Sequence, residues 1–267
     1  MHHCRLAPGQ LGRCRARKNE QGRIVSVNYG KVSALALDPI EKKPLRQFYP
    51  GSKILSVGSF GCNLSCPFCQ NHEISMCGEQ AADHVEMTPL QLADLAEEMQ
   101  KRGNIGVAYT YNEPLIGHEF VRDCAAIVHA RGMKNVVVTN GSVQLEILET
   151  LLPDIDAMNI DLKGFTAAHY QRLGGDLHTV QEFIARAARS THVEVTTLIV
   201  PGENDTEEEM AAEAEWLASI DPQIPLHVTR FFPHYRMQER AATDIALIYR
   251  LREVASAYLP HVYVGNC

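Results

Sequence analysis

Three cysteines follow the first β-branched run of the chain. Residues 59–71 read Ser-Phe-Gly-Cys-Asn-Leu-Ser-Cys-Pro-Phe-Cys-Gln-Asn, which places thiols at Cys62, Cys66 and Cys69. A closed tetrahedral zinc site or an ordinary [4Fe–4S] cluster takes four protein ligands, and no fourth cysteine or histidine nearby completes a matching pair. Three thiolates on one short loop therefore predict an inorganic centre with one open coordination position.

The spacing Cys-x-x-x-Cys-x-aromatic-Cys, with Phe68 as the aromatic residue, resembles the signature of the radical S-adenosylmethionine (SAM) enzymes. The resemblance implies a [4Fe–4S] cluster on Cys62, Cys66 and Cys69, whose open iron binds the amino and carboxylate groups of SAM. It also implies reductive cleavage of SAM to a 5′-deoxyadenosyl radical that abstracts hydrogen from a substrate. The alternatives are a zinc loop that lacks a ligand, although zinc loops usually repeat a cysteine pair, and three structural thiols.

Composition sets the class of protein that we expect. The length of 267 residues is normal for a single α/β barrel, whose core needs neither disulfides nor zinc. A formal net charge of −7 argues against general nucleic-acid binding, which needs a basic surface. The chain shows no charged-then-apolar leader and no apolar run of about 18 residues, and its eight cysteines fit a reducing compartment. We therefore expect a soluble cytoplasmic protein that contacts no membrane.

The charge is uneven, and this divides the chain into a predicted N-terminal extension over residues 1–50 and a core domain over residues 51–267. Residues 1–23 carry six basic side chains against the single acid Glu20. The extension is expected to hold a basic arm and a β-hairpin. The arm is either a solvated surface or a dock for an acidic electron donor such as reduced flavodoxin or ferredoxin, because a cluster of this type must be reduced.

Short β-branched runs alternate with amphipathic helices from residue 54 onward. Capping boxes at Thr88 and Thr206 open two of these helices. Alternation of this kind predicts a parallel sheet with helices outside, and six units match the partial (β/α)6 TIM-like barrel that the resemblance implies. The predicted strands are Ile54–Phe60, Ile105–Tyr111, Asn135–Thr139, Ala157–Leu162, Val193–Val200 and Leu226–Phe231.

A polar or cysteine motif follows the carboxyl end of each predicted strand, which is the edge where parallel α/β barrels bind ligands. Asn112-Glu113-Pro114 resembles the Gly-Gly-Glu-Pro motif whose acid receives the SAM amino group; a solvent-facing acid is the alternative. Asp161 and Lys163 share one face of a strand and resemble the Asp-x-Lys of the activating enzymes of glycyl radical enzymes; a structural ion pair is the alternative. The SAM contacts that the resemblance implies are Phe68, Asn71, Asn112, Glu113, Thr139, Asn140, Asp161, Lys163, Ile199 and His234.

Several residues are expected to have no ligand role. Val138 and Asn159 depart from residues that hold a monovalent cation in the activating enzymes, which argues against that cation site here. Cys124 has the helical spacing of a core residue, and Cys77 has no predicted partner. His72 is expected to line the site and not to bind the metal.

The N-terminal segments around Cys4–Cys14, Asn28–Gly30, Asp38–Pro44 and Phe48–Ser52 resemble those of the AmmeMemoRadiSam radical SAM proteins. The resemblance makes a second metal site unexpected, unless His2, His3, Cys4 and Cys14 bind zinc. Two enzymatic outcomes follow: activation of a glycyl radical enzyme, or radical modification of another protein or a small molecule. An iron–sulfur electron carrier or scaffold is the alternative from another class.

Overall fold

An eight-stranded sheet forms the centre of the computed structural model, which describes residue 2 and residues 4–267. Seven strands are parallel, and β4 pairs antiparallel with β5 at one edge. The sheet runs in the order β12-β11-β10-β9-β8-β7-β5-β4. Its strands are β4 (Ala34–Pro39), β5 (Lys53–Gly58), β7 (Asn104–Tyr109), β8 (Lys134–Thr139), β9 (Ala157–Asp161), β10 (His192–Ile199), β11 (Leu226–Arg230) and β12 (Val262–Gly265).

The predicted partial barrel is confirmed, and its six predicted strands correspond to β5 and β7 to β11. Two further strands, β4 and β12, extend the sheet beyond that prediction. Two shorter pairs lie outside it: β1 (Arg17–Glu20) and β2 (Arg23–Ser26) form a hairpin, and β3 (Lys31–Val32) pairs with β6 (Val85–Glu86).

The helices are α1 (His72–Ser75), α2 (Pro89–Glu98), α3 (His118–Ala130), α4 (Leu145–Leu151), α5 (Ala167–Leu173), α6 (Leu177–Ala187), α7 (Glu207–Ile220) and α8 (Ile245–Ser256). The predicted capping box at Thr88 is present, because its hydroxyl and the Gln91 side chain each accept the other residue's backbone N–H. Thr206 caps α7, but the Glu209 carboxylate accepts from the backbone N–H of Phe165 instead of completing a second box. Within the described residues, no helix has the length and apolar character to cross a membrane.

The interior of the barrel is filled from below by residues 40–48, which we call the plug. Ile40, Leu45 and Phe48 of the plug pack on Ala108, Val136 and Ala157, which belong to three neighbouring strands of the sheet. The carboxylate of Glu194, on β10, accepts the backbone N–H groups of Arg46 and Gln47 at 2.9 and 2.8 Å. Since Asn159 on β9 also donates to the Pro44 carbonyl, two strands bind the plug through polar side chains.

Candidate active site

A cavity of about 530 Å³ opens above the plug at the carboxyl ends of the strands. One side of it is the loop that carries the three predicted cluster cysteines. The other sides are formed by strand ends, by the top of the plug, and by the end of β12 with the residue that follows it. From the predicted set it is lined by Cys62, Cys66, Phe68, Cys69, Asn71, Asn112, Glu113, Thr139, Asn140, Asp161 and Lys163.

The cluster loop is held by a close approach of backbone at Gly61. Its φ of +86° lies in the left-handed region, and a Cβ there would come within 2.4 Å of the Cys14 carbonyl oxygen. Glycine is the residue that fits both conditions. The Gly61 N–H donates to the carbonyl of Ile74, so the N-terminal extension and α1 clamp the loop from two sides.

Cys66 is buried, and Cys62 and Cys69 are partly buried. Burial raises the pKa of all three, to about 12 for Cys66, so that each thiolate requires a cationic partner. Among the described residues, no three His, Cys, Asp or Glu side chains converge on a single-ion site. The three thiols line one cavity, as a cluster with three cysteine ligands requires.

Glu113 connects two strand ends beneath the cluster loop. Its carboxylate accepts from the Thr139 hydroxyl at 2.7 Å, and from the backbone N–H groups of Asn140 and Leu115 at 2.8 and 2.9 Å. Burial raises the pKa of Glu113 to about 7, although these hydrogen bonds favour the ionised form. Because Glu113 is 3% exposed, it is not the solvent-facing acid of the alternative prediction.

Asn112 and Tyr111 shape the segment before Glu113. The Asn112 carboxamide accepts the Ser59 N–H and donates to the carbonyls of Phe60 and Gly61, so it ties this segment to the cluster loop. Tyr111 has a φ of +72°, at a position where the related motif has glycine. Its hydroxyl donates to Asp38 at 2.6 Å, which compensates for part of the backbone strain.

The Asp161–Lys163 pair faces the cavity with Nζ and Oδ2 2.9 Å apart. Burial disfavours the Lys163 ammonium, but Asp161 and the thiols of Cys66 and Cys69 outweigh it and raise the pKa of Lys163. The ammonium therefore stays charged beside the cysteines. An ion pair at a cavity wall keeps donors and acceptors free for a polar ligand, which an ion pair enclosed in the core would not.

The other predicted contacts divide into two groups. Asn71 and Phe68 line the cavity, and the Asn71 amide donates to the Tyr111 carbonyl at 2.7 Å. Ile199 and His234 do not line it. The Ile199 side chain packs in the main core on the helix side of the sheet, and its carbonyl accepts from Thr243 at 2.6 Å. His234 is exposed beyond the end of β11. Neither residue lines the cavity in this structure, and their contacts with SAM stay predictions.

Leu198, beside Ile199, faces the cavity because successive strand residues alternate between faces. Thr196, His227 and Thr229 also line the cavity beyond Asp161, and none of them is among the predicted contacts. The signal was present, since polar residues alternate with apolar ones in β10 and β11. Alternation of that kind marks an inward polar face.

The other sulfurs and the possible zinc ligands lie elsewhere. Cys124 is fully buried in the main core, and the Cys77 thiol donates to the Ile74 carbonyl. His2 contacts the Asn63 carbonyl at 2.7 Å, Cys4 is exposed and Cys14 is buried. His3 lies outside the described residues.

The sequence pattern of the radical SAM superfamily matches residues 56–217, which is more than half of the chain. This chain belongs to the radical SAM superfamily. Its cofactors are those of the family, a [4Fe–4S] cluster and SAM. The cysteine loop and the strand ends that carry Glu113, Thr139 and Asp161 lie within the matched region.

Relatives place the chain among enzymes of this superfamily. It is 37% identical over 267 residues to an uncharacterized protein of Methanocaldococcus jannaschii, covering 99% of this chain and 79% of that protein. It is 29% identical over 200 residues to the 4-hydroxyphenylacetate decarboxylase activating enzyme of Clostridioides difficile, covering 72% of this chain and 58% of that enzyme.

Solved structures show the same fold. A domain of pyruvate-formate lyase-activating enzyme from Bacteroides vulgatus superposes with a TM-score of 0.52 at 21% identity, covering 60% of this chain and 99% of that domain. SuiB of Streptococcus suis bound to S-adenosylmethionine superposes with a TM-score of 0.61 at 14% identity, covering 80% of this chain and 52% of that one. Radical SAM enzymes need an electron donor and a substrate.

Proposed function

We propose that this protein uses its three-cysteine cluster to cleave SAM reductively and to take a hydrogen atom from a substrate, as the activating enzymes do. The observation that supports this most directly is the convergence of three groups on one cavity. The cluster thiols, the Glu113 carboxylate and the Asp161–Lys163 pair all line it. An iron–sulfur electron carrier would have no use for a ligand cavity of this size.

Each group has a task that follows from its chemistry. Cys62, Cys66 and Cys69 would hold three irons and leave the fourth open to SAM. Ionised Glu113 would accept hydrogen bonds from the SAM ammonium, and its own bonds to Thr139 and Asn140 keep the carboxylate oriented. Asp161 would accept ribose hydroxyls, and Lys163 would pair with the SAM carboxylate. Asn71, Phe68 and Asn112 would complete the SAM contacts.

When bound, the cluster and SAM supply the 5′-deoxyadenosyl radical that takes the hydrogen atom. The protein's contribution is to orient the two cofactors and to keep water away. Leu64, Phe68 and Leu198 form an apolar group around the cysteines, with Phe231 and Met237 behind them. This surrounding excludes solvent from the side of the cavity where the radical would form.

The test compares two cysteine variants of anaerobically reconstituted protein incubated with SAM and dithionite. Wild-type protein and Cys124→Ala are expected to release 5′-deoxyadenosine, since Cys124 lies in the helix-side core. Cys66→Ala is expected to release none and to bind less iron. Iron-loaded wild-type protein that forms no 5′-deoxyadenosine would refute radical SAM chemistry and would favour the electron carrier.

Two substrate classes remain within this proposal. Similarity to a decarboxylase activating enzyme favours the abstraction of hydrogen from a backbone glycine of a partner enzyme. Radical modification of another protein or of a small molecule is the second class. Incubation with deuterium-labelled candidates separates them, because the abstracted deuterium appears in 5′-deoxyadenosine.

We further propose reduced flavodoxin or ferredoxin as the electron donor, docked on the basic arm. Arg17 is bound to Glu119 and His118, so its charge is already compensated, whereas Arg13 is exposed. Arg13→Glu is expected to slow cluster reduction by flavodoxin and to leave reduction by dithionite unchanged. The control is Arg189→Glu, because Arg189 is exposed just before the amino end of β10. Equal slowing with both reductants would contradict the docking role.

A further inference from the structure

The cavity has a second half that none of the predicted SAM contacts occupies. It is bounded by β10, β11, the end of β12 and the plug. In the sheet register Asp161 pairs with Thr196, and Thr196 pairs with His227, so these side chains lie in one row. With neighbouring strands about 4.8 Å apart, the Cα atoms of Asp161 and His227 are about 10 Å apart. A molecule held at His227 would therefore lie beside the cofactor half.

One buried carboxylate organises this second half. Glu194 is fully buried, and besides the two plug N–H groups it contacts the Nε2 atoms of His227 at 2.6 Å and His192 at 3.0 Å. Burial disfavours its charge, but these four hydrogen bonds outweigh burial and hold the pKa of Glu194 at about 2. The same carboxylate thus fixes the plug backbone and the imidazole of His227 relative to each other.

His227 is left with one nitrogen for a ligand. Its Nε2 contacts Glu194. Its Nδ1 has no hydrogen-bond partner among the described residues, and it is not one of the fully buried polar atoms that lack a partner. His227 lines the cavity although the residue is only 4% exposed. An imidazole that is fixed by a carboxylate on one side and open on the other is oriented to bind a polar group.

Two cations of the plug face the same space. The Arg46 side chain lines the cavity and forms no ion pair among the described residues, while its backbone is held by Glu194. Lys42 also lines the cavity, and it is 3.5 Å from Asp38, whose charge Lys43 already compensates at 2.8 Å. Glu41 is an acidic residue of the plug that also lines the cavity, and its carboxylate accepts a hydrogen bond from the Gly51 N–H.

We propose that this half of the cavity binds the oxyanion of a small substrate, a carboxylate or a phosphate group, through Arg46, Lys42 and, when both ring nitrogens are protonated, the Nδ1–H of His227. The inference rests on the proposed function, because the anchored molecule would present its hydrogen to the SAM-derived radical. Thr196 and Thr229 supply hydroxyls in the same wall. Glu194 is a positioning residue, since it acts through Arg46 and His227. A neutral glycine backbone would offer these two cations no negative charge.

The test measures anion binding to cluster-loaded protein with SAM present, in a phosphate-free buffer of constant ionic strength. Inorganic phosphate is titrated by phosphorus NMR line broadening, and succinate by saturation-transfer proton NMR. One of the two anions is expected to saturate a single site. Arg46→Gln should weaken that binding about tenfold, as expected for the loss of a charge-assisted hydrogen bond, and Arg46→Lys should weaken it less.

Arg189→Gln is the matched control and should bind the anion as wild-type protein does. Absence of saturable binding of either anion, or equal affinity in Arg46→Gln and wild-type protein, would overturn the proposal and favour a peptide substrate. The proposed function is tested separately, by measuring 5′-deoxyadenosine release by wild-type protein without added anion. Loss of that product refutes the SAM chemistry, whereas its presence without anion binding refutes only the oxyanion site.

Discussion

Glu213 is expected to make the stability of this protein fall as the pH rises. It lies on the buried face of α7, at 1% exposure, and its partner is the hydroxyl of Thr197 on β10. Burial raises the pKa of Glu213 to about 8, and the nearby charge of Glu209 adds to the increase. The perturbation that tests this is Glu213→Gln, which keeps the shape and a hydrogen bond to Thr197 but cannot ionise.

The direction follows from counting protons. Between pH 4.5 and about 8 the native carboxyl keeps its proton, whereas the unfolded chain has released it. The unfolded state then binds fewer protons, so the free energy of unfolding falls with pH in this range. A gap of about 3.5 pH units, at about 1.4 kcal/mol per unit, gives an upper limit of about 5 kcal/mol. Water penetration and local relaxation reduce it, so we expect about 2–5 kcal/mol.

The assay is urea unfolding of anaerobic, cluster-loaded protein, followed by the fluorescence of Trp216, the single tryptophan of the chain. Trp216 lies on the same helix and packs on Phe165, so its signal reports loss of the α7 contacts. Near pH 5.5, about one unit above the pKa of the unfolded chain, Glu213→Gln should be the more stable by only about 1 kcal/mol. Near pH 8.5 Glu213→Gln should be the more stable by the amount above.

Glu215→Gln provides the control, because Glu215 is exposed on the same helix two residues later. Its difference from wild-type protein, measured at the same pH values, is the baseline. If the difference between Glu213→Gln and wild-type protein is constant from about pH 5.5 to about pH 8.5, the buried carboxyl does not titrate in this range and the reasoning is wrong.

Three other substitutions test other parts of the structure. Gly61→Ala is expected to displace the cluster loop from the Cys14 carbonyl, and should lower iron content and the iron–sulfur absorbance after reconstitution. In Glu194→Gln an N–H₂ group replaces one of the two oxygens that accept backbone N–H groups of the plug, so one of these hydrogen bonds is lost. The substitution should lower the free energy of unfolding by about 3 kcal/mol in urea titration. Phe183→Ala leaves a cavity between α6 and the sheet, and should cost about 3–5 kcal/mol in the same titration with little change in the iron–sulfur absorbance.

Much of the sheet could be predicted from the sequence because its strands are buried on both faces. The prediction Asn135–Thr139 differs from the observed β8 by one residue, since three consecutive valines lie between Asn135 and Thr139. β4 was missed because alanine and leucine alternate in it with little β-branching, and its neighbour β5 lies across an intervening loop. Strand pairing over that distance depends on tertiary contacts that local propensity does not record.

The site was predicted where a motif is local, and was missed where it depends on the face of a strand. The cysteine loop and Asp161–Lys163 are short patterns at strand ends, and all of these residues line the cavity. Ile199 was selected by resemblance along the chain, but its face is set by the register of β10, which points Leu198 inward instead. His234 lies one residue earlier than its counterpart in the related enzymes, and the chain beyond β11 carries it out to solvent.

The plug joins the two sides of the predicted boundary at residue 50 in one apolar cluster. Ile40, Leu45 and Phe48 lie on one side of that boundary, and the Ala108 and Val136 side chains that they cover lie on the other. Burying apolar side chains in this way contributes about 2 kcal/mol each, a large share of the stability of a domain. The carboxylate of Glu194 adds charge-assisted hydrogen bonds across the same junction. The N-terminal extension therefore forms the floor of the barrel, and the cavity keeps its shape only while that floor is in place.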